Sequence, residues 1–139
     1  MKQQGQYGIA IIGCGTVGGA AAALLEEDRE ALSRKTGQPI RLKYIVDVDF
    51  TYAESLGLSS DLFEKEIDRV LGDDEVRVVA ELVGGTTIAK EIVEQCLKAK
   101  KHVVTANKAL LAHHFPLLVA PARKNGVILD SDSRCGGVI

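Results

Sequence analysis

Several kinds of segment are missing from this sequence of 139 residues, and each absence closes off a class of function. No apolar run is long enough to span a bilayer: residues 9–12 and 76–83 are strand-sized, far short of the roughly 20 residues a membrane helix needs. Neither sign of charge is in excess. Lys and Arg number 17 against 19 Asp and Glu, a net charge of −2, which leaves no electrostatic footprint for nucleic acid or an anionic membrane. The start, Met1-Lys2-Gln3-Gln4-Gly5-Gln6, lacks the apolar stretch of a signal peptide, so a cytoplasmic location is expected. The three cysteines, Cys14, Cys96 and Cys135, lie too far apart for a CxxC pair or a zinc ribbon, and their odd number argues against a disulfide framework. Repeats, low-complexity tracts and internal linkers are absent. So are a Ser-His-Asp pattern, a carboxylate dyad and a metal cluster. His113 and His114 are adjacent on a helical stretch and point in different directions, and His102 follows Lys100-Lys101, as a surface residue would. No catalytic residue and no metal ligand is assigned.

What remains is a globular composition, 46% apolar, sufficient for one domain with a real core. The chain is organised around Gly13-Cys14-Gly15-Thr16-Val17-Gly18. An apolar run, Tyr7-Gly8-Ile9-Ala10-Ile11-Ile12, precedes it and an Ala/Leu-rich stretch comes after, which reads as strand, tight turn and helix. In that setting the first glycine permits the turn, the second lets backbone approach a pyrophosphate, and the third lets helix pack on strand. The helix start adds unpaired N–H groups and a positive dipole end. The alternative is a glycine turn that only packs a helix. Cys14 reads as a small residue filling the loop, against a thiol activated by the helix N-terminus.

Apolar residues at helical spacing predict a first helix over residues 16–35, ended by Gly37 and Pro39. A strand over 40–46 then closes on Asp47. An acid at that point of a dinucleotide fold accepts hydrogen bonds from the adenosine ribose, and a carboxylate there repels a 2′-phosphate, which favours NAD over NADP without deciding the matter. The gap from the glycines exceeds the usual ~20 residues because the first helix is extended. Asp49 competes, since i and i+2 share a strand face. Asp61 with Glu64 resembles a capping box opening a short helix that buries Leu62, Ile67, Val70 and Leu71, and an edge strand near 56–58 is an option. Residues 76–83 read as a strand interrupted by Glu81, which is either paired structurally or directed into the cleft. Gly84-Gly85-Thr86-Thr87 leads into a helix carrying Ile88, Ile92, Val93, Cys96 and Leu97 on one face, capped by Thr86 or Thr87. Residues 102–106 form the next strand, opening onto Asn107-Lys108 and a further helix. Pro116 is expected to start a new helical segment and Pro121 to break or kink it. The last strand is placed at 127–129.

Alternating strands and helices predict one doubly wound, mainly parallel α/β sheet with helices on both faces. Ligands bind such sheets at the carboxyl ends of the strands. The polar and glycine candidates all fall there: Gly13, Gly15, Thr16, Val17, Gly18, Asp47, Gly85, Thr86 and Lys108. Gly84-Gly85 lets backbone pass close to ribose and nicotinamide, Thr86 offers a hydroxyl, and Lys108 places a cation at the nicotinamide end.

Two stretches then go beyond the glycine loop: Ala80-Glu81-Leu82-Val83-Gly84-Gly85-Thr86-Thr87 and Lys101-His102-Val103-Val104-Thr105-Ala106-Asn107-Lys108-Ala109-Leu110-Leu111-Ala112. With Gly13–Gly19 they resemble the N-terminal NAD(P)-binding domain of homoserine dehydrogenase, over residues 7–126. The resemblance implies a Rossmann-type fold and an enzyme that interconverts L-homoserine and L-aspartate 4-semialdehyde with NAD(P), on the route to threonine and methionine. It also implies that the residue matching Lys108 lies by nicotinamide and substrate, and that the glycine loop, Gly85 and Thr86 contact the cofactor. Phe115 and Pro121 depart from the family pattern, so a disturbed last helix is expected. Residues 131–139 match only a Gly-Gly-Val part of the family's next segment. The substrate-binding and dimerising domain is therefore expected to be absent from this chain, and turnover with it, while a homodimer is possible through the apolar surface left exposed. The alternatives are the cofactor domain of a related enzyme, such as an aspartate dehydrogenase, and a non-catalytic dinucleotide sensor.

Overall fold

The computed structural model describes residues 7–83 and 87–131. Strand β1 (Tyr7–Ile12) is followed by helices α1 (Thr16–Glu27) and α2 (Arg29–Thr36), strand β2 (Ile40–Val46), helix α3 (Thr51–Ser55), a 3₁₀ turn at Ser60–Leu62 and strand β3 (Phe63–Glu64). Helix α4 (Asp68–Gly72), strand β4 (Val76–Glu81), helix α5 (Thr87–Lys98), strand β5 (His102–Thr105), helix α6 (Lys108–Asn125) and strand β6 (Leu129–Ser131) complete it. The six strands form one sheet in the order β3-β2-β1-β4-β5-β6, every pair parallel. This is the doubly wound arrangement, and its switch point lies between β1 and β4.

Two apolar cores cover the two faces, as parallel strands require. One joins Ala10, Ile12, Val79 and Val103 of the sheet to Val93 and Leu97 of α5 and to Leu110 and Leu118 of α6. The other joins Ile11 and Ile45 to Ala22 of α1 and Ala53 of α3. Register shifts in both neighbours of β1 explain why the sides are not shared out by strict alternation. Ile9 pairs with Leu42 but Ala10 with Tyr44, leaving Lys43 as an extra residue in β2, and Arg77 is the extra residue in β4. The shift puts Leu42 and Ile45 in the same core despite a spacing of three.

Several expectations need correction. The first helix breaks at Asp28, where φ is −100° and ψ 12°. Glu26, Glu27 and Asp28 gather at the carboxylate-averse end of α1, whereas Glu30 suits the first turn of α2. The proposed capping box does not form: Ser59 caps the 3₁₀ turn by accepting from the Asp61 N–H, and Glu64 lies in β3. The edge strand is thus at 63–64, held by Phe50 stacking on Phe63 at 4.3 Å between centroids. Ile88 is 62% exposed, and Ala89 takes its place in the core. β4 and β5 end at Glu81 and Thr105, and the last strand sits two residues later than expected. Helix α6 runs unbroken through Pro116 and Pro121. Each interior proline costs about 3 kcal/mol. Burial of Leu110, Leu118 and Ala122, an Asn107 cap and a left-handed Gly126 at the other end together offset that cost.

At the amino end of β4 a polar cluster ties three strands together. Asp73 accepts from Lys43 Nζ at 2.7 Å and Tyr44 Oη at 2.8 Å, and its carbonyl accepts from the buried Lys101 Nζ at 2.6 Å. Partial burial acts to raise the Asp73 carboxyl, but the bonds from Lys43, Tyr44 and the Glu75 N–H outweigh it and hold the group below the ordinary carboxylate range. A depressed folded value contributes stability above the unfolded value, about pH 4, and loses it as pH falls through the folded one. Asp73→Asn is expected to destabilise the chain by about 1–3 kcal/mol at pH 7, measured by urea unfolding. The difference should shrink towards pH 2; a difference independent of pH would rule out the carboxylate as its source.

Candidate functional site

The turn after β1 is wedged between the ends of its neighbours. Gly13 donates its N–H to the Val46 carbonyl at 2.7 Å, and Leu82 donates to the Ile12 carbonyl at 2.9 Å. Gly13 has φ +102°, and a Cβ there would lie 3.1 Å from the Leu82 backbone. Gly18 is tighter still: its Cβ would fall 1.7 Å from the Gly13 carbonyl oxygen, so the first turn of α1 rests directly on the loop. Gly15 is the opposite case. No heavy atom lies within 4 Å of the position of its missing Cβ, and Gly15, Thr16 and Val17 are all exposed. Helix α1 has no side-chain cap and no acid in its first turn. No carboxylate of its own first turn therefore meets its positive dipole end, the condition under which such an end suits an anion.

Asp47 closes the loop from the side of β2. One carboxylate oxygen accepts from the Cys14 N–H and the other from the Val48 N–H, both at 2.6 Å. Partial burial pushes the carboxyl up, and these N–H bonds overcome it, leaving a net shift downwards that keeps Asp47 ionised at neutral pH. Asp49 is committed elsewhere: its Oδ1 accepts from the N–H and hydroxyl of Thr51 at the start of α3. The Cys14 thiol donates to the Asp49 carbonyl at 2.9 Å. Burial first, then the neighbouring Asp47 and Asp49, push the thiol up to about 12. It is a small buried loop residue and not an activated nucleophile.

Beside Asp47 lies a mainly apolar cavity of about 310 Å³, walled by Ile12, Val46, Val48, Ile67 and Val83. It opens at the carboxyl ends of β1, β2 and β4, and is large enough for part of a small ligand. A larger groove of about 440 Å³ is lined by Arg29, Arg34 and Arg41 at the opposite, amino end of β2. The strand-end rule and the glycine loop both favour the smaller cavity.

At the ends of β4 and β5 the charged residue of the apolar strand is fully paired. Glu81 is completely buried. One carboxylate oxygen accepts from the Val83 N–H at 2.8 Å and the other from the Thr105 hydroxyl. Of the two readings of Glu81, structural pairing is the one found. Asn107 caps α6 by accepting from the Leu110 N–H at 2.9 Å, which sets the exposed Lys108 in the helix's first turn. Gly85 and Thr86 lie outside the described residues, and α5 begins at Thr87.

The loop, Asp47 and Lys108 therefore all sit at carboxyl ends of strands in one sheet. Sequence reasoning overlooked the Cys14–Asp47 bond, the Thr105 hydroxyl and the apolar cavity. Only Asn107, a cap-forming residue before a helical run, carried a local signal. Among the described residues no group of His, Cys, Asp and Glu could hold a metal ion, and no helix is long and apolar enough to cross a membrane.

Comparison with known proteins agrees with this geometry. The family model "Homoserine dehydrogenase, NAD binding domain" matches residues 13–130. A homoserine dehydrogenase of Neisseria gonorrhoeae is 39% identical over 131 residues, covering 94% of this chain and 30% of that protein. The crystal structure of S. aureus homoserine dehydrogenase at pH 7.5 superposes with a TM-score of 0.82 at 33% identity, over 94% of this chain and 32% of that one. That of Thiobacillus denitrificans homoserine dehydrogenase gives 0.82 at 32%, over 95% and 30%. The chain thus spans about 30% of the length of the curated relatives it matches.

The contrast between glycines can be tested without a ligand. Gly15→Ala is expected to unfold within about 1 kcal/mol of wild type, since its new methyl group meets nothing. Gly18→Ala should lose more than about 2 kcal/mol from overpacking against the Gly13 carbonyl. Chemical denaturation of both variants checks this, and equal losses would contradict it.

Proposed function

The chain belongs to the homoserine dehydrogenase family as its NAD-binding domain, and on that premise we propose that the dinucleotide lies across the carboxyl ends of β1, β2, β4 and β5. The pyrophosphate rests on residues 13–18, with Gly15, Thr16 and Val17 turned towards it and the N–H groups of α1 meeting its charge. The observation that carries this reading is the open space at Gly15, beside a Gly18 that admits no side chain. The adenosine ribose hydroxyls donate to Asp47. Its oxygens already accept the Cys14 and Val48 N–H groups, with the Asp49 N–H and the Cys14 thiol also close by, and the ribose hydroxyls would share its lone pairs with them. The apolar cavity beside Asp47 takes the adenine. The nicotinamide half runs towards Gly85, Thr86 and Lys108, where the ammonium holds a cofactor or substrate oxygen.

NAD is the preferred cofactor in this reading, because an ionised, anchored Asp47 repels a 2′-phosphate. Bound NAD supplies the hydride acceptor at its nicotinamide C4. In the full-length enzyme that chemistry would interconvert the alcohol of L-homoserine and the aldehyde of L-aspartate 4-semialdehyde. We assign to this chain the binding and orientation of the cofactor, and assign the rest of the substrate site, proton transfer and dimerisation to sequence the relatives have beyond the matched 30%. Turnover of homoserine by this chain alone is not expected.

Calorimetric titration tests the assignment. The chain should bind NAD more tightly than NADP, and Asp47→Ala should weaken NAD by about 10- to 100-fold, as expected for hydrogen bonds to a charged group. Tighter binding of NADP by the wild type, or an Asp47→Ala variant with unchanged affinity, would overturn the role given to Asp47.

A further inference from the structure

Glu81 occupies an expensive position. A carboxylate in the middle of a parallel sheet loses its hydration, and burial accordingly raises its pKa despite the bonds it accepts. An apolar residue of similar volume would support the sheet at lower cost. What Glu81 does that an apolar residue cannot is hold two chain segments at once. Its Oε2 takes the Val83 N–H at 2.8 Å, where the chain leaves β4. Its Oε1 takes the Thr105 hydroxyl at the end of β5. The Thr105 oxygen in turn accepts the Asn107 N–H at 3.0 Å, and Asn107 caps the helix that begins with Lys108. The Glu81 carbonyl also accepts the Ala106 N–H at 3.1 Å.

We propose that Glu81 is a positioning residue for the nicotinamide half of the site: through Thr105 and Asn107 it fixes the first turn of α6, and with it Lys108, relative to the chain leaving β4. Every donor in the relay is matched to one acceptor. The Thr105 hydroxyl gives its single proton to Glu81 and receives the Asn107 N–H, so its orientation is fixed. Glutamine at 81 has only one acceptor oxygen, so it cannot meet the Val83 N–H and the Thr105 O–H from the two oxygen positions that glutamate uses. Valine at 105 keeps the shape of threonine and removes the relay. Thr105 lines neither the glycine loop nor the apolar cavity, so its substitution leaves the adenosine half alone, whereas Glu81 also holds Val83, a wall of that cavity, and its substitution reaches both halves.

This inference rests on the cofactor reading, and two ligands separate them. NADH spans both halves of the site, whereas ADP-ribose lacks the nicotinamide. In the 139-residue chain, Thr105→Val should bind NADH about tenfold more weakly, the loss expected of one or two buried hydrogen bonds, with ADP-ribose unchanged, and Glu81→Gln should lose at least as much for NADH. Thr105→Ser, which retains the hydroxyl, should restore NADH affinity. The double variant should be little worse than Glu81→Gln alone, because Thr105 acts only through the relay that Glu81 anchors. Equal weakening of both ligands by Thr105→Val, or of neither, would overturn the proposal. Amide hydrogen exchange of the ligand-free chain reads the relay independently: Glu81→Gln should lower protection at Val83 and Asn107 together, whereas Asn107 unaffected would overturn the coupling. A wild type that binds neither ligand would overturn the cofactor reading instead, and the exchange result would still decide the relay. Should Glu81→Gln fail to fold, Thr105→Val carries the same comparisons.

Discussion

The contact between the Gly13 carbonyl and Gly18 governs the geometry around it. Helix α1 can start where it does only because no side chain stands between its first turn and the loop, a clearance of 1.7 Å for the missing Cβ. That seating aims the helix N-terminus along the carboxyl edge of the sheet. It also brings the Cys14 N–H within 2.6 Å of Asp47, so the acid of β2 and the loop of β1 form one surface. Gly13 in turn sits between Val46 and Leu82, at the point where the strand order reverses and the sheet opens a crevice. Steric exclusion, not attraction, sets the position of the site.

Electrostatics then gives the crevice its direction. The β1–β2 side presents helix N–H groups next to a carboxylate held ionised by N–H donors. The β4–β5 side presents a cation, Lys108, at the head of a helix whose start is fixed by the hydrogen bonds radiating from buried Glu81. The same chemistry appears at the other end of β4, where Asp73 collects Lys43, Tyr44 and Lys101. Both ends of this strand are secured by a buried or half-buried acid, but for different purposes. The Asp73 cluster fastens strands together, and the Glu81 relay fastens the segments that leave them.

The sheet and its winding were readable because parallel strands buried on both faces leave near-continuous apolar runs, as at 7–12 and at 78–80 in the middle of β4, and because glycine punctuates them. The comparisons bear out the family that the stretches around Glu81 and Thr105 suggested. What could not be read has a common cause: tertiary contacts overrode local signals. Asp61 and Glu64 have the spacing of a capping box, yet pairing of Phe63 with Ile45 draws that segment into the sheet edge. Pro116 and Pro121 signal a break, yet the helix packs Leu110 and Leu118 against the core on either side of Pro116 and stays whole. Asp47 and Asp49 are alike in sequence, but one faces the loop and the other binds Thr51 at the start of α3. The Glu81–Thr105–Asn107 relay joins residues 24 and 2 positions apart, and no periodicity reports on such a chain of bonds.

Everything assigned to the cofactor depends on its lying along the carboxyl edge around the glycine loop and not in the larger arginine-lined groove. Backbone amide chemical shifts of the chain during titration with NAD test this most directly. The largest changes are expected at Cys14, Gly15, Thr16 and Val17, with further changes at Val48 and Val83 around the apolar cavity. Saturable changes centred on Arg29, Arg34 and Arg41, with the glycine loop unmoved, would contradict it.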